Sequence, residues 1–317
     1  MRKFEGRAPE SFGFEDIIYE KKDWVAKVTI NRPDVFNTYR TETLREMLAA
    51  FEDATQDDSM AVLVLTGSGD KAFCTGGDVQ EYAESFTTVP RDFVKWGKLF
   101  MSVNEKLRHV GKPTIARVNG MAVGGGNEFQ ISCDLAIAAE HAQFFQVGTS
   151  VGSVAAVSCW FLPLMIGDRR AREMLLLGKK VDAKTALEWG LVNQVVPKEK
   201  LDEAVDEVAR QLVHKFPDCM RYTIQQTNYF KDQVASALGG EASDWLATHF
   251  TSPEPYEGMN SFVEKRKTDY MKLRKLAAEG KSSEYLWGPP TRKCSGCGVK
   301  GIPAEFEYCG VCGKKLK

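Results

Sequence analysis

The chain has 317 residues, 43% of them hydrophobic, and a net charge of −1 at neutral pH. That length supports one large core, or one large domain with a small appendage. The balanced charge excludes a global electrostatic case for nucleic acid or an anionic membrane, and no apolar run approaches the ~20 residues of a membrane span.

The opening segment, MRKFEGRAPESFGFED, has no apolar stretch of the kind a secretory signal carries, so a soluble cytoplasmic protein is expected. WVAKVTI (24–30) is β-rich and stops at the turn signal NRPD. TETLREMLAAFEDA (41–54) has helical apolar spacing, with Thr41 as the expected N-cap and Glu42 in the first turn. AVLVLTG (61–67) reads as a buried strand, RDFVKWGKLFMSVNEKLRHV (91–110) as a long helix, and PTIARV (113–118) as the next strand. DLAIAAE (134–140) and QFFQVG (143–148) are strand-like, and from about residue 168 the pattern is mainly helical. Strands alternating with helices early and helices alone late predict an α/β domain with a helical C-terminal part. No internal repeat is legible.

Three glycine-rich stretches follow strands. TGSGDKA (66–72) matches GxGxxA through Gly67, Gly69 and Ala72, but more turn residues, FCTGGD, follow where that pattern requires a helix. Dinucleotide binding is therefore not expected. FCTGGDV (73–79) and GMAVGGGNEF (120–129) form a better pair. Each would present a free backbone N–H at a helix start, where the positive dipole end favours developing negative charge. Two such donors aimed at one oxygen make an oxyanion hole. Glu128 would then stand beside the activated carbonyl. On the pattern alone, packing glycines and a solvated helix-start glutamate explain the same residues.

In order along the chain, INRPDVFNTYR (30–40), KAFCTGGDVQEY (71–82), VNGMAVGGGNEFQISCDLAIAAEHAQFFQVG (118–148), GLVNQVVP (190–197) and EGMNSFVEKR (257–266) resemble the crotonase (enoyl-CoA hydratase/isomerase) family. The resemblance covers roughly residues 14–275. It implies a spiral of ββα turns with a helical C-terminal trimerisation region, a homotrimer or hexamer, and an acyl-CoA thioester as substrate. It places the two oxyanion N–H groups on Gly77 and Gly125, where a side chain at 124–126 would collide with the thioester. Lys71, Asp78, Phe262 and Lys265 match positions that bind substrate, with the two lysines and Phe262 near the CoA adenine and phosphates.

The family's hydratases share acid–base work between two glutamates. The first matches Glu128, but the second position holds Gly148, followed by Gly152 and Ser153. That pattern resembles the naphthoate synthase subgroup and the ring-cleaving acyl-CoA hydrolases. Yet the aspartate of the former is Ala155 here, and its C-terminal tyrosine is Phe250. The overall texture is nearest to the 6-oxocyclohex-1-ene-1-carbonyl-CoA hydrolases, through KAFCTGG, EYAE, VNGM, FLPLM, FPDCM and KLRK. Hydration of an unsaturated, alicyclic acyl-CoA is the expected reaction. Hydrolytic ring cleavage and a non-catalytic scaffold are the alternatives. Ser150, Ser153, His249, Glu81 and Tyr82 are the candidate second proton donors. Phe73, Trp96, Met121, Trp160 and Phe161 would suit an alicyclic group, and Gly148, Ser153 and Trp160 are expected to contact it.

The tail, KCSGCGVKGIPAEFEYCGVCGKKLK (293–317), carries two C-x2-C pairs, Cys294/Cys297 and Cys309/Cys312. Four thiolates so spaced predict a closed structural Zn²⁺ site of the ribbon type. The expected division is therefore an acyl-CoA domain over 1–278, a linker over 279–293 containing Tyr285 and Trp287, and a zinc ribbon over 294–317. Residues 290–317 carry six basic and two acidic side chains, about +2 once a Zn(Cys)₄ centre is counted. That is too little for nucleic-acid binding. Docking to another subunit or to a pathway enzyme is the expected role.

Overall fold

The computed structural model describes residues 4–87, 89–280, 291–303 and 305–316. The main body is built on β1 (Ile17–Lys22), β2 (Val25–Ile30), β3 (Val62–Gly67), β4 (Ala72–Cys74), β5 (Thr114–Val118), β6 (Met121–Val123), β7 (Leu135–Ala139), β8 (Gln143–Phe145), β9 (Val181–Asp182) and β10 (Gln194–Val196). One sheet has the order β1-β2-β3-β5-β7-β10 and the other β4-β6-β8-β9. The β1/β2 hairpin and the β8/β9 pair are antiparallel, and the other pairs are parallel.

A rule connects sequence to architecture. β3, β5 and β7 lie in the first sheet, and the strand following each of them lies in the second. A helix then returns the chain: Pro90–Arg108 after β4, Gly125–Ser132 after β6, Ala156–Ile166 after β8. This is the spiral of ββα turns implied by the resemblance. The repeat is invisible in sequence because it is geometric: those helices run 19, 8 and 11 residues, with no shared side-chain pattern. β3 is buried on both faces, which accounts for its unbroken apolar run. Phe51, Phe73, Phe129, Phe144 and Phe161 fill the space between layers.

The parallel register of β4 and β6, with Cys74 opposite Ala122, brings both chain segments out of the same sheet edge. Gly76–Gly77 and Gly124–Gly125 follow these strands, so they emerge side by side. The site descends from that pairing.

Three expectations need correction. Thr41 is the first helical residue rather than the cap: Arg40 takes the cap position, and the Thr41 N–H donates to the Glu81 carboxylate at 3.0 Å. Glu42 does sit in the first turn. The stretch after 168 is not wholly helical, because β9 and β10 close the two sheets. They are two and three residues long, too short to show a period, and neighbouring strands impose them. QFFQVG is a strand only as far as Phe145, and Gly148 opens a short helix (Gly148–Val151).

The C-terminal part forms the helices Leu201–Val213, Pro217–Phe250, Pro253–Val263 and Tyr270–Ala278. Among the described residues no helix is long and apolar enough to cross a membrane. Tyr285, Trp287 and most of the expected linker lie outside the described residues. Thr291–Arg292 pairs with Ile302–Pro303, so the cysteine-bearing unit begins before Cys294.

Candidate active site

Tyr39 donates its N–H to the Gly76 carbonyl at 2.9 Å and accepts from the Asp78 N–H at 2.8 Å. These ladder bonds use the residues flanking Gly77, so the Gly77 N–H itself turns to the opposite side. Gly125 opens the helix Gly125–Ser132, with Gly124 (φ 54°) in its cap, and the first N–H of a helix has no intrahelical acceptor. A Cβ on Gly76 would sit 3.5 Å from the Gly125 nitrogen, so the two turns are in contact. Both glycines line a cavity of about 900 Å³.

Glu128 lines the same cavity at 4% exposure. Its Oε1 accepts from the Ser158 N–H at 2.8 Å, at the N-terminus of the helix Ala156–Ile166. Burial nevertheless outweighs these donors and pushes the carboxyl up to about 7. A carboxyl poised there can hold or release a proton near neutrality. The Ser158 hydroxyl accepts in turn from Gln146 Nε2 at 2.7 Å, and that amide also reaches the Gly124 carbonyl at 3.3 Å. Ser158 and Gln146 therefore tie the acid to the glycine turn. Neither was legible as a site residue in sequence, since they stand 30 and 18 residues from Glu128.

Three of the glycines are also required by the protein's own packing. A Cβ on Gly77 would collide with the Tyr82 hydroxyl, one on Gly125 with the Tyr39 hydroxyl, and one on Gly126 with the Cys74 carbonyl. The close approach is thus to the protein's own phenols and backbone. Tyr39 and Tyr82 both line the cavity, and their phenols are pushed well above 10 chiefly by burial. The Tyr82 ring packs edge-on against Trp96 and Phe250, and Phe250 stacks on Phe93 at 3.8 Å.

Gly148 also lines the cavity, and a Cβ there would lie 2.7 Å from the Ser153 carbonyl oxygen. Ser153 N–H donates to the Gly148 carbonyl at 2.8 Å, closing a tight loop. Chain 148–155 fills the space a carboxylate side chain would need.

The remaining expected residues divide. Asp78, Ser153, Phe262, Lys265, Trp96 and Met121 line the cavity. Phe262 is 62% exposed at its mouth, next to Lys265 in the left-handed backbone region (φ 54°). Asp78 is occupied: Arg32 pairs with it at 3.1 Å, and it caps the turn at Gln80. Lys71 does not reach the cavity. It stands at the start of β4, whereas the glycines lie past that strand's end, and its side chain is exposed. Trp160 lies outside too, half-buried on its helix against Phe161. Phe73 and Phe161 are fully buried core. Of the candidate proton donors, Glu81 is engaged with Thr41, Ser150 is exposed, and His249 faces Glu254 at 3.9 Å. Ser153 and Tyr82 remain.

In the tail, all four cysteine sulfurs lie within 4.8 Å of one another, with Cys294–Cys312 at 3.5 Å and Cys297–Cys309 at 3.6 Å. A tetrahedral Zn–S₄ centre places sulfurs about 3.8 Å apart, so the four sulfurs fit such an ion. Two equivalent turns build the cluster: Gly298 N–H to the Cys294 carbonyl at 2.9 Å, and Gly313 N–H to the Cys309 carbonyl at 2.8 Å. Both glycines have positive φ. Backbone N–H groups of Cys297 and Gly296 pull the Cys294 thiol down to about 6, the thiolate form a metal takes. Among the described residues, Ile302, Leu316 and the half-buried Val299 pack with Cys294 and Cys309 as its apolar core.

The sequence model of the enoyl-CoA hydratase/isomerase family matches residues 20–273. The chain belongs to that family. A solved enoyl-CoA hydratase from Mycobacterium avium subsp. paratuberculosis K-10 is 25% identical with a TM-score of 0.72, over 81% of this chain and 98% of its own. An enoyl-CoA hydratase/isomerase from Xanthobacter autotrophicus Py2 is 27% identical with a TM-score of 0.71, over 85% and 95%. A monofunctional enoyl-CoA isomerase from M. smegmatis is 30% identical with a TM-score of 0.57, over 66% and 90%. The family match ends at residue 273, before the four cysteines.

Proposed function

We propose that this chain hydrates an unsaturated, alicyclic acyl-CoA thioester in the cavity between the two glycine turns. The Gly77 and Gly125 N–H groups receive the thioester oxygen and stabilise the enolate, an arrangement worth several kcal/mol in such sites. Glu128 takes the proton from the attacking water. The observation that carries this reading is a buried carboxyl, raised to about 7, in one cavity with two glycine amides that have no acceptor among the described residues. Phe262 and Lys265 at the mouth suit the CoA adenine and phosphates, and Asp78 holds the first glycine turn through Arg32. Trp96, Phe93, Phe100 and Met121 make the acyl end broad and apolar, which favours a ring over a short chain. A cytoplasmic homotrimer or hexamer, with Zn²⁺ holding the tail and the tail docking on another subunit or a pathway enzyme, completes the proposal.

Hydrolytic ring cleavage is the second reading, favoured by Gly148: with its place filled by the 148–155 loop, the two-glutamate route is closed. A non-catalytic scaffold is disfavoured by Glu128 itself, because a buried acid raised by desolvation costs stability that only a use of the site would offset. The test incubates the protein with crotonyl-CoA, cyclohexa-1,5-dienecarbonyl-CoA and 6-oxocyclohex-1-ene-carbonyl-CoA, followed by mass spectrometry. Gain of one water supports hydration, and gain of two with ring opening supports hydrolysis. An isomer of unchanged mass is the isomerase outcome. Binding without turnover of any thioester would leave the scaffold.

A further inference from the structure

We propose that the Tyr39–Tyr82 phenol pair is the acid of this site, delivering the proton that Gly148 cannot. The inference rests on the hydration reading above and names the missing half of its acid–base chemistry.

The argument begins with space. Two glycines in separate turns are each obligatory because a phenol hydroxyl occupies the volume of the absent Cβ: Tyr82 at Gly77, Tyr39 at Gly125. The hydroxyls therefore stand against the two residues whose amides are assigned to the thioester oxygen. They come from segments 43 residues apart and both line the same cavity. Stacking fixes them, with Tyr39 on Phe100 at 5.5 Å and Tyr82 edge-on to Trp96 at 4.9 Å. Glu128, Cys74 and, for Tyr82, Glu81 are the charged or titratable groups that bear on the pair. Of these Glu81 is tied to the Thr41 N–H. Cys74 is fully buried and outside the cavity lining, and its thiol is pushed up to about 12 by desolvation. Among the described residues the carboxylates that line the cavity are Asp34, Asp78 and Glu128, and Asp78 is bound by Arg32.

The proton balance closes. Water gives its proton to the Glu128 carboxylate as its oxygen bonds to the β-carbon. The C=C electron pair moves onto the α-carbon and thioester oxygen, held by the two amides. The α-carbon then takes the proton of one phenol, and the C–O bond of the thioester enolate returns to C=O. The phenolate is reprotonated by the proton Glu128 received. One water is added and every group is restored. A phenol kept protonated by burial is a poor acid toward water but sufficient toward an enolate carbon, so it releases its proton only when the enolate has formed.

The experiment runs wild-type, Tyr82→Phe, Tyr39→Phe and the double variant in D2O with crotonyl-CoA and cyclohexa-1,5-dienecarbonyl-CoA, assigning deuterium at the α-carbon by NMR. The expected result is single-faced labelling by wild type. Each variant should lose kcat by roughly 10²–10⁴-fold with KM within about threefold, and its residual product should be labelled on both faces, because solvent replaces the fixed donor. A merely structural role would lower the melting temperature or raise KM yet leave labelling single-faced, and that outcome overturns the assignment. So do variants within threefold of wild type. If one variant does not fold, the other carries the same test. Wild-type protein inert toward both thioesters overturns the hydration reading itself, whereas active wild type with unaffected variants overturns only the tyrosine assignment.

Discussion

Replacing Glu128 with Gln should make the protein more stable and less active at the same time. The folded carboxyl titrates near 7 against an ordinary value of 4.5, and at about 1.4 kcal/mol per unit that rise corresponds to about 3 kcal/mol. Below about pH 4.5 the group is protonated in folded and unfolded chains alike and imposes no cost. As pH rises, the unfolded chain ionises first, so stability falls until the folded carboxyl has also titrated, near pH 7. Above that the full cost persists. Glutamine keeps an oxygen to accept from the Ser158 N–H and removes the charge, and the rise to about 7 is already net of the hydrogen bonds that favour the carboxylate. The gain at pH 8 is therefore about 3 kcal/mol, or roughly 6–12 °C in melting temperature for a domain of this size, and near zero at pH 4.5. Thermal melts of both proteins across pH 4.5–8.5 measure it. A variant that melts at or below wild type at pH 8, or by a constant offset at all pH values, would refute the claim that desolvation dominates at Glu128. Activity of the same variant toward a turned-over thioester should fall by roughly 10²–10⁴-fold.

Other expectations follow from the same geometry. Since Glu128 must be ionised to accept a proton, kcat/KM should rise with pH through about 7 along a one-proton limb, and that limb should vanish in Glu128→Gln. Gly148→Glu should not restore a two-carboxylate hydratase: its Cβ meets the Ser153 carbonyl at 2.7 Å, so lower melting without a gain in rate is expected, and a faster enzyme would contradict the packing. Gly126→Ala drives a methyl into the Cys74 carbonyl, which is backbone and cannot swing aside; denaturant unfolding should show a loss of about 1–3 kcal/mol. Chelation of the full-length protein should release one zinc per chain and speed amide exchange over 291–316, with the strands of the main body keeping their protection.

What the chain order of residues determined by itself is the local chemistry. The glycine turns after two strands, Glu128 four residues beyond Gly124, and the paired C-x2-C knuckles are all written within a few residues of one another, and spacing over such distances constrains geometry directly. The ββα spiral was reached through the resemblance rather than through periodicity, because second-sheet strands of three residues show no alternation. Tertiary structure alone decided which side chains meet. Tyr39, Tyr82 and Ser158 converge on the glycine turns from three distant segments; Tyr82 was a candidate proton donor in the sequence, but its meeting with Tyr39 and the part of Ser158 were not legible there. Parallel pairing of β4 with β6 set the glycine turns side by side. The same packing put the Ser153 carbonyl against the place of a Cβ at Gly148. Contacts between remote segments depend on how layers stack, and a linear pattern records only which residues are free to take part.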